Sequence, residues 1–146
     1  MVEMKAIEIL LVDDSPSDVF LTQHALNSMR MLNKVHVASD GVEALAFLRR
    51  EGQYSHANIP DLILLDLNLP RKSGLEVLAE IKADPVLRMI PVVVLTTSSL
   101  DEDALKAYAL HVNCFITKPF DFEQFKKVVS LMGEFWFAVV KLPPKS

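Results

Sequence analysis

Five side chains have the type and the setting for metal or phosphate chemistry: Asp13, Asp14, Asp66, Thr96 and Lys118. Asp13 and Asp14 follow the apolar run Ile7–Val12, and Asp66 follows Leu62–Leu65. Thr96, with Thr97 and Ser98, follows Pro91–Leu95, and Lys118, with Pro119, follows Cys114–Thr117. A single acid at such a place is common, and Asp14 alone reads as a solvated charge. Asp66 is harder to dismiss, because a carboxylate at the end of a wholly apolar run is desolvated unless something compensates it. Three converging carboxylates also repel one another. A divalent cation together with a fixed ammonium supplies the compensation, and hard oxygen ligands with room for water favour Mg2+ over zinc. A lone lysine is ordinarily a solvated surface charge. Here Pro119 fixes the chain just past the run, where a cis Lys118–Pro119 bond would suit a turn. Lys118 is then aimed across the acids as a point charge for a phosphate-like oxygen.

The elements that must bring these residues together are legible. A fifth run, Lys34–Ala38, is weaker and precedes Ser39 and Asp40. The runs Ile7–Val12, Leu62–Leu65 and Pro91–Leu95 are nearly continuous in apolar residues, as expected of strands covered on both faces. Helix starts alternate with them. Ser15-Pro16-Ser17-Asp18 places a hydroxyl before a proline at the first helical position. Asp40-Gly41-Val42-Glu43, Ser73-Gly74-Leu75-Glu76, Ser99-Leu100-Asp101-Glu102 and Asp121-Phe122-Glu123-Gln124 have capping-box spacing. Apolar faces follow: Leu21, Ala25 and Met29; Ala44, Leu45 and Leu48; Leu78 and Ala79; Leu105 and Tyr108; Phe125, Val128 and Met132. Five strands and five capped helices predict an α/β fold, (βα)5, doubly wound about a five-stranded parallel sheet. In such a sheet ligands bind beyond the carboxyl ends of the strands, where the five side chains fall.

Composition agrees with one domain. The 146 residues are 51% hydrophobic and 23% charged, with a formal charge of −4. That excludes a disordered chain, and four glycines and eight prolines exclude a Gly/Pro-rich one. One cysteine excludes a disulfide framework and a multi-thiolate zinc site. No apolar run approaches the roughly 18 residues of a membrane span, and the N-terminus lacks signal-peptide order. A cytoplasmic location is expected. Mild acidity without a basic stretch argues against direct nucleic-acid binding.

The set resembles the receiver domain of two-component response regulators, over roughly residues 6–132. The resemblance rests on Asp13-Asp14, Asp66-Leu67-Asn68-Leu69-Pro70 with Gly74 beyond it, Thr96, and Lys118-Pro119. It implies a flavodoxin-like sheet of order 2-1-3-4-5, with Asp66 as the phosphoacceptor for a phosphohistidine on a sensor histidine kinase. It implies Mg2+ bound by Asp14, Asp66 and the Asn68 main-chain carbonyl, with Asp13 holding a metal-bound water. Thr96 and Lys118 would bind phosphoryl oxygens, and Thr96 with Phe115 would form the conformational switch. Phe115 stands where the family often has tyrosine, so the hydroxyl that reports the switch state is missing. Asn68 and Ser98 lie where the family tunes hydrolysis.

A narrower resemblance links the chain to the stand-alone regulators paired with phytochrome-type light-sensing kinases. It rests on the insertion Gly52–Pro60, Leu95–Ser98, His111–Cys114 and the Phe135-Trp136 tail. Residues 1–132 are read as the receiver and 133–146 as an extension with no room for an output domain, so readout by protein contact is expected. The tail's Phe135 and Trp136, followed by Phe137, Val139, Val140 and Leu142, favour a homodimer through the fourth and fifth helices and strand five. Cys114 reads as a buried small hydrophobe. His24, His36, His56 and His111 share no ligand spacing. Arg49-Arg50-Glu51 and Arg71-Lys72 read as solvated faces. Three competing readings remain. A Mg2+-dependent aspartyl-phosphate phosphatase of the haloacid-dehalogenase type needs a second aspartate two residues after its nucleophile, where this chain has Ser15. A non-phosphorylated interaction module leaves the acid, Thr96 and Lys118 set without a purpose. A flavin or nucleotide binder lacks its Gly-rich phosphate loop after the first strand.

Overall fold

The computed structural model describes residues 6–27, 33–97, 101–119 and 121–135. Over them the chain runs β1 (Ile7–Val12), α1 (Pro16–Asn27), β2 (Asn33–Ala38), α2 (Gly41–Leu48), β3 (Leu62–Leu65), α3 (Gly74–Ala83), β4 (Val92–Thr96), α4 (Asp101–Ala109), β5 (Cys114–Thr117) and α5 (Phe122–Glu134). Short 3-10 turns occur at Gly52–Tyr54 and Leu87–Met89. The strands form one parallel sheet in the order β2-β1-β3-β4-β5, the expected arrangement.

Alternation along the strands divides the core in two. Leu10, Val12, Ile63, Leu65, Val92 and Val94 face α2 and α3 through Ala44, Leu45, Leu48, Val77 and Leu78. Ile9, Leu11, Leu62, Leu64, Val93 and Leu95 face α1 and α5 through Ala25, Leu26, Phe125, Val129 and Met132. The caps act as their sequences require. Asp40 Oδ1 accepts from Glu43 N–H at 2.7 Å, Ser73 Oγ from Glu76 N–H at 3.2 Å and Asp121 Oδ1 from Gln124 N–H at 3.0 Å. Ser99 and Met29 lie outside the described residues.

Several details differ from expectation. β4 starts at Val92, because Pro91 has no N–H to give the ladder. It runs through Thr96, whose side chain is therefore held by the sheet rather than by a loop. β5 is an edge strand, so Cys114 is half-buried rather than buried. On α4 it is Ala107 that packs inward, while Leu105 and Tyr108 are 72% and 52% exposed. No cis peptide bond occurs among the described residues, so the Lys118–Pro119 turn is made without one. The insertion before β3 is tied down by Tyr54, whose ring meets Phe47 edge-on at 5.3 Å and whose hydroxyl donates to Glu43 Oε1 at 2.8 Å. No helix among the described residues is long and apolar enough to cross a membrane.

One glycine joins fold to site. Gly74 opens α3 with its N–H on the Leu67 carbonyl at 2.9 Å. A Cβ there would overlap the Asp66 carbonyl oxygen and the Leu67 Cα. Gly74→Ala is therefore expected to cost about 1–3 kcal/mol of stability by overpacking. Urea unfolding checks this, and an unchanged midpoint would show that the β3–α3 connection can relax.

Candidate functional site

The carboxyl edge of the sheet is fixed by ladder bonds that continue one residue beyond the strands. Asp13 N–H donates to Ala38 O at 3.0 Å, Asp66 N–H to Val12 O at 2.9 Å and Lys118 N–H to Thr96 O at 2.6 Å. The chain leaves β1 one way to reach β2 and the other way to reach β3, so the β1–β3 boundary is where the strand order reverses. Asp13 and Asp66 stand at its two lips.

The side chains converge there. Asp13, Asp66, Thr96 and Lys118 are 2%, 6%, 0% and 3% exposed, while Asp14 is open to solvent. Such burial is unusual for charged groups and requires partners. Lys118 Nζ donates to Asp13 Oδ2 at 2.6 Å, Asp18 Oδ2 at 3.0 Å and Asp66 Oδ2 at 3.2 Å. Asp66 Oδ1 accepts from the Thr96 hydroxyl at 2.9 Å and the Asn68 N–H at 3.1 Å. Asp13 Oδ1 accepts from the Ser15 N–H at 3.0 Å.

Three carboxylates, those of Asp13, Asp18 and Asp66, thus share one ammonium, and Asp14 stands beside them. Burial favours neutral Lys118, but its bond to Asp13 and the charges of Asp13 and Asp66 outweigh that, and the ammonium is held above its ordinary titration range. Burial also pushes the Asp13 carboxyl up, against the bonds from Lys118 and the Ser15 N–H, and the Asp66 charge adds to the rise. Burial thus sets the direction at Asp13 and the neighbouring acids set it at Lys118, and by formal charge Asp13, Asp14, Asp18 and Asp66 outnumber the one lysine. Asp13, Asp14 and Asp66 each bring an oxygen within 4.8 Å of the others. Hard oxygen donors, excess negative charge and one open side fit a divalent cation that keeps some of its water.

The sequence-predicted residues Asp13, Asp14, Asp66, Thr96 and Lys118 are thus brought together. Asn68 follows Asp66 closely and is exposed. Phe115 is half-buried and packs on the same sheet face as Val92 and Val94. It is registered against Val94, one pleat below the Thr96–Thr117 pair. Phe135 sits at the end of α5 beside an apolar groove that includes Cys114, Ile116 and Leu131. Trp136 and Ser98 lie outside the described residues. Asp18 was not anticipated as a site residue. It reads as an acid in the first turn of α1, and the one available signal is its place a helical turn beyond Asp14.

An open parallel α/β sheet with an acidic, cation-seeking pocket and a buried ammonium at its switch point belongs to the class of phosphoryl-handling doubly wound proteins. Within that class the family model described as the response regulator receiver domain matches residues 9–130, and the chain belongs to that family. It is thereby a phosphoacceptor signalling domain of the two-component kind, a class that takes its input from a sensor kinase. The chain is 47% identical over 135 residues to the response regulator Rcp1 of Synechocystis sp., with 92% of each chain covered. It is 49% identical, with a TM-score of 0.94, to the crystal structure of the phosphorylated cyanobacterial phytochrome response regulator RcpA, covering 96% of this chain and all of that one. It is 46% identical, with a TM-score of 0.92, to the Mn2+-bound form of Rcp1, covering 94% and 99%.

Lys118 is the pocket's resident countercharge. Lys118→Met is expected to cost the metal-free fold about 3 kcal/mol by leaving buried carboxylates uncompensated, and Mg2+ should recover part of that loss. Because Lys118 titrates above its ordinary value, its contribution is fully present below the unfolded-state value and fades only as pH rises through the folded one. The loss should therefore stay level from about pH 6 to 9. Calorimetry with and without Mg2+ checks this, and a variant as stable as the parent in chelator would remove Lys118 from this role.

Proposed function

We propose that the chain is a response regulator that accepts a phosphoryl group on Asp66 from a phosphohistidine of a sensor histidine kinase, in a Mg2+-dependent reaction. The observation that carries this is the buried Asp66 carboxylate at the switch point, facing Thr96 and Lys118 and flanked by Asp13 and Asp14. Mg2+ is assigned to Asp13, Asp14, Asp66 and the Asn68 main-chain carbonyl. When bound, it supplies charge neutralisation for the transferring phosphoryl group.

The chain's own residues do the rest. A carboxylate oxygen of Asp66 attacks phosphorus in line, the P–N bond to the kinase histidine breaks, and the imidazole keeps the departing electron pair. Lys118 carries positive charge toward one phosphoryl oxygen, and the Thr96 hydroxyl turns from Asp66 to another. Hydrolysis reverses the state when water attacks phosphorus and the P–O bond to Asp66 breaks. The chain thus works as a signalling protein that catalyses at most its own phosphorylation and dephosphorylation.

Thr96 and Phe115 are assigned the switch. They share a sheet face one pleat apart, so a hydroxyl drawn toward the phosphoryl group leaves space that the Phe115 ring can enter. Residues 1–132 are assigned to the receiver and 133–146 to an extension. Likeness to Rcp1 and RcpA supports a phytochrome-type kinase as partner, with signal output by protein contact in the cytoplasm and without direct nucleic-acid binding. The apolar groove between β5 and α5, with exposed Leu131 and Phe135, supports a homodimer through α4, β5, α5 and the tail, with Phe135 and Trp136 as anchors.

Acetyl phosphate with Mg2+ should add one phosphoryl group by intact mass to the parent and none to Asp66→Asn. A parent that gains no mass, or a variant that gains it equally, overturns the assignment. Sedimentation at micromolar concentration should show a dimer-sized species. A monomer alone, before and after phosphorylation, removes the dimer.

A further inference from the structure

Lys118 has three donors, and each rests on a different carboxylate. Two of those carboxylates, Asp13 and Asp66, also belong to the acid trio that fits a cation. The third, Asp18, does not. It stands on the first turn of α1, with its N–H on Ser15 Oγ at 3.4 Å and its carbonyl accepting the Thr22 hydroxyl at 2.8 Å. Its position is set by the helix and not by the pocket, and its side chain is 26% exposed where that of Lys118 is 2%.

The ammonium and a divalent cation therefore compete for oxygens of Asp13 and Asp66, while Asp18 offers the ammonium a place that costs the cation nothing. We propose that Asp18 is a positioning residue that draws Lys118 off the metal-binding carboxylates, so that the lysine and the cation occupy the pocket together. Without it, Nζ settles on Asp13 and Asp66 and opposes the incoming cation. The same tether keeps the ammonium at the α1 side of Asp66, ready for a phosphoryl oxygen. The proposal deepens the reading of the pocket as a Mg2+ site and rests on it.

A double-mutant cycle read by Mg2+ affinity separates this role from a merely helical one. Isothermal titration with MgCl2 would compare the parent, Asp18→Ala, Asp18→Asn, Lys118→Gln and both double variants. Asp18→Ala is expected to weaken Mg2+ about tenfold, the effect of one lost hydrogen bond between charged groups. In the Lys118→Gln background the same change should fall to about twofold or less, because only a screened through-space charge is lost. An equal loss in both backgrounds, or no loss in the parent, overturns the proposal, since a field or helix-start role does not depend on the lysine. Should Lys118→Gln not fold, Asp18→Asn decides, because it keeps the shape and an acceptor oxygen while removing the charge. The proposal then requires Mg2+ binding weakened well beyond the roughly twofold of a screened charge, in a variant that still unfolds cooperatively in chelator, and a loss of about twofold or less sinks it. A parent that binds no Mg2+ at all would instead end the reading of the pocket, which distinguishes the two failures.

Discussion

A buried ammonium placed among carboxylates is the constraint around which the rest is organised. Lys118 is 3% exposed, and an isolated charge at that depth would not stay ionised. It does so because three acids reach it from β1, α1 and β3, elements far apart in the chain. The acids in turn are tolerable inside the protein only because the ammonium is there. Neither partner could be buried alone, so the pocket forms as one unit with the sheet. Its charge is still unbalanced, and that imbalance gives the site its appetite for a cation. The arrangement is costly for stability and useful for chemistry, as functional sites generally are.

Backbone geometry makes this unit possible. Parallel strands bring all their carboxyl ends to one edge, and ladder bonds running past β1, β3 and β5 hold the backbones of Asp13, Asp66 and Lys118 as firmly as strand residues. Gly74 lets α3 begin directly against the Asp66 carbonyl, where any side chain would intrude. The α2 side is braced as well. Arg71 pairs with Asp40 at 3.2 Å, and Lys72 and Arg49 pair with Glu80, whose carboxyl the lysine, ahead of the arginine, holds below the usual range. The sequence suggested solvated faces for these basic residues, and Arg49, Arg50 and Arg71 are exposed, while Lys72 is half-buried where it meets Glu80 of α3.

The two sheet faces divide the labour. Thr96 and Phe115 lie on the α2–α4 face, so a change at the Asp66 hydroxyl contact is next to a half-buried ring on an edge strand, where packing is least complete. On the other face Cys114, Ile116 and α5 shape the apolar groove. Exposed Leu105 and Tyr108 add apolar surface on α4. Exposed apolar side chains thus gather on α4 and α5 beside the edge strand, and Phe20, Val86 and Met89 add others elsewhere.

What could be read from the residues in order was everything that depends on local pattern. The apolar runs gave the strands to within a residue at each end, and Asp40, Ser73 and Asp121 gave helix starts, because both signals act over a few neighbours. Asp13, Asp66, Thr96 and Lys118 were recognisable because a strand end is a local position and parallel topology sends all such positions to one edge. Asp18 was not, because its partner lies 100 residues away and nothing in a helix's first turn says which way a carboxylate reaches. The exposure of Leu105 and Tyr108, and the half-burial of Cys114, were hidden for the same reason. A side chain's polarity is written in the chain, but whether a neighbour covers it is decided only when the sheet has an edge and the helices have settled on its faces.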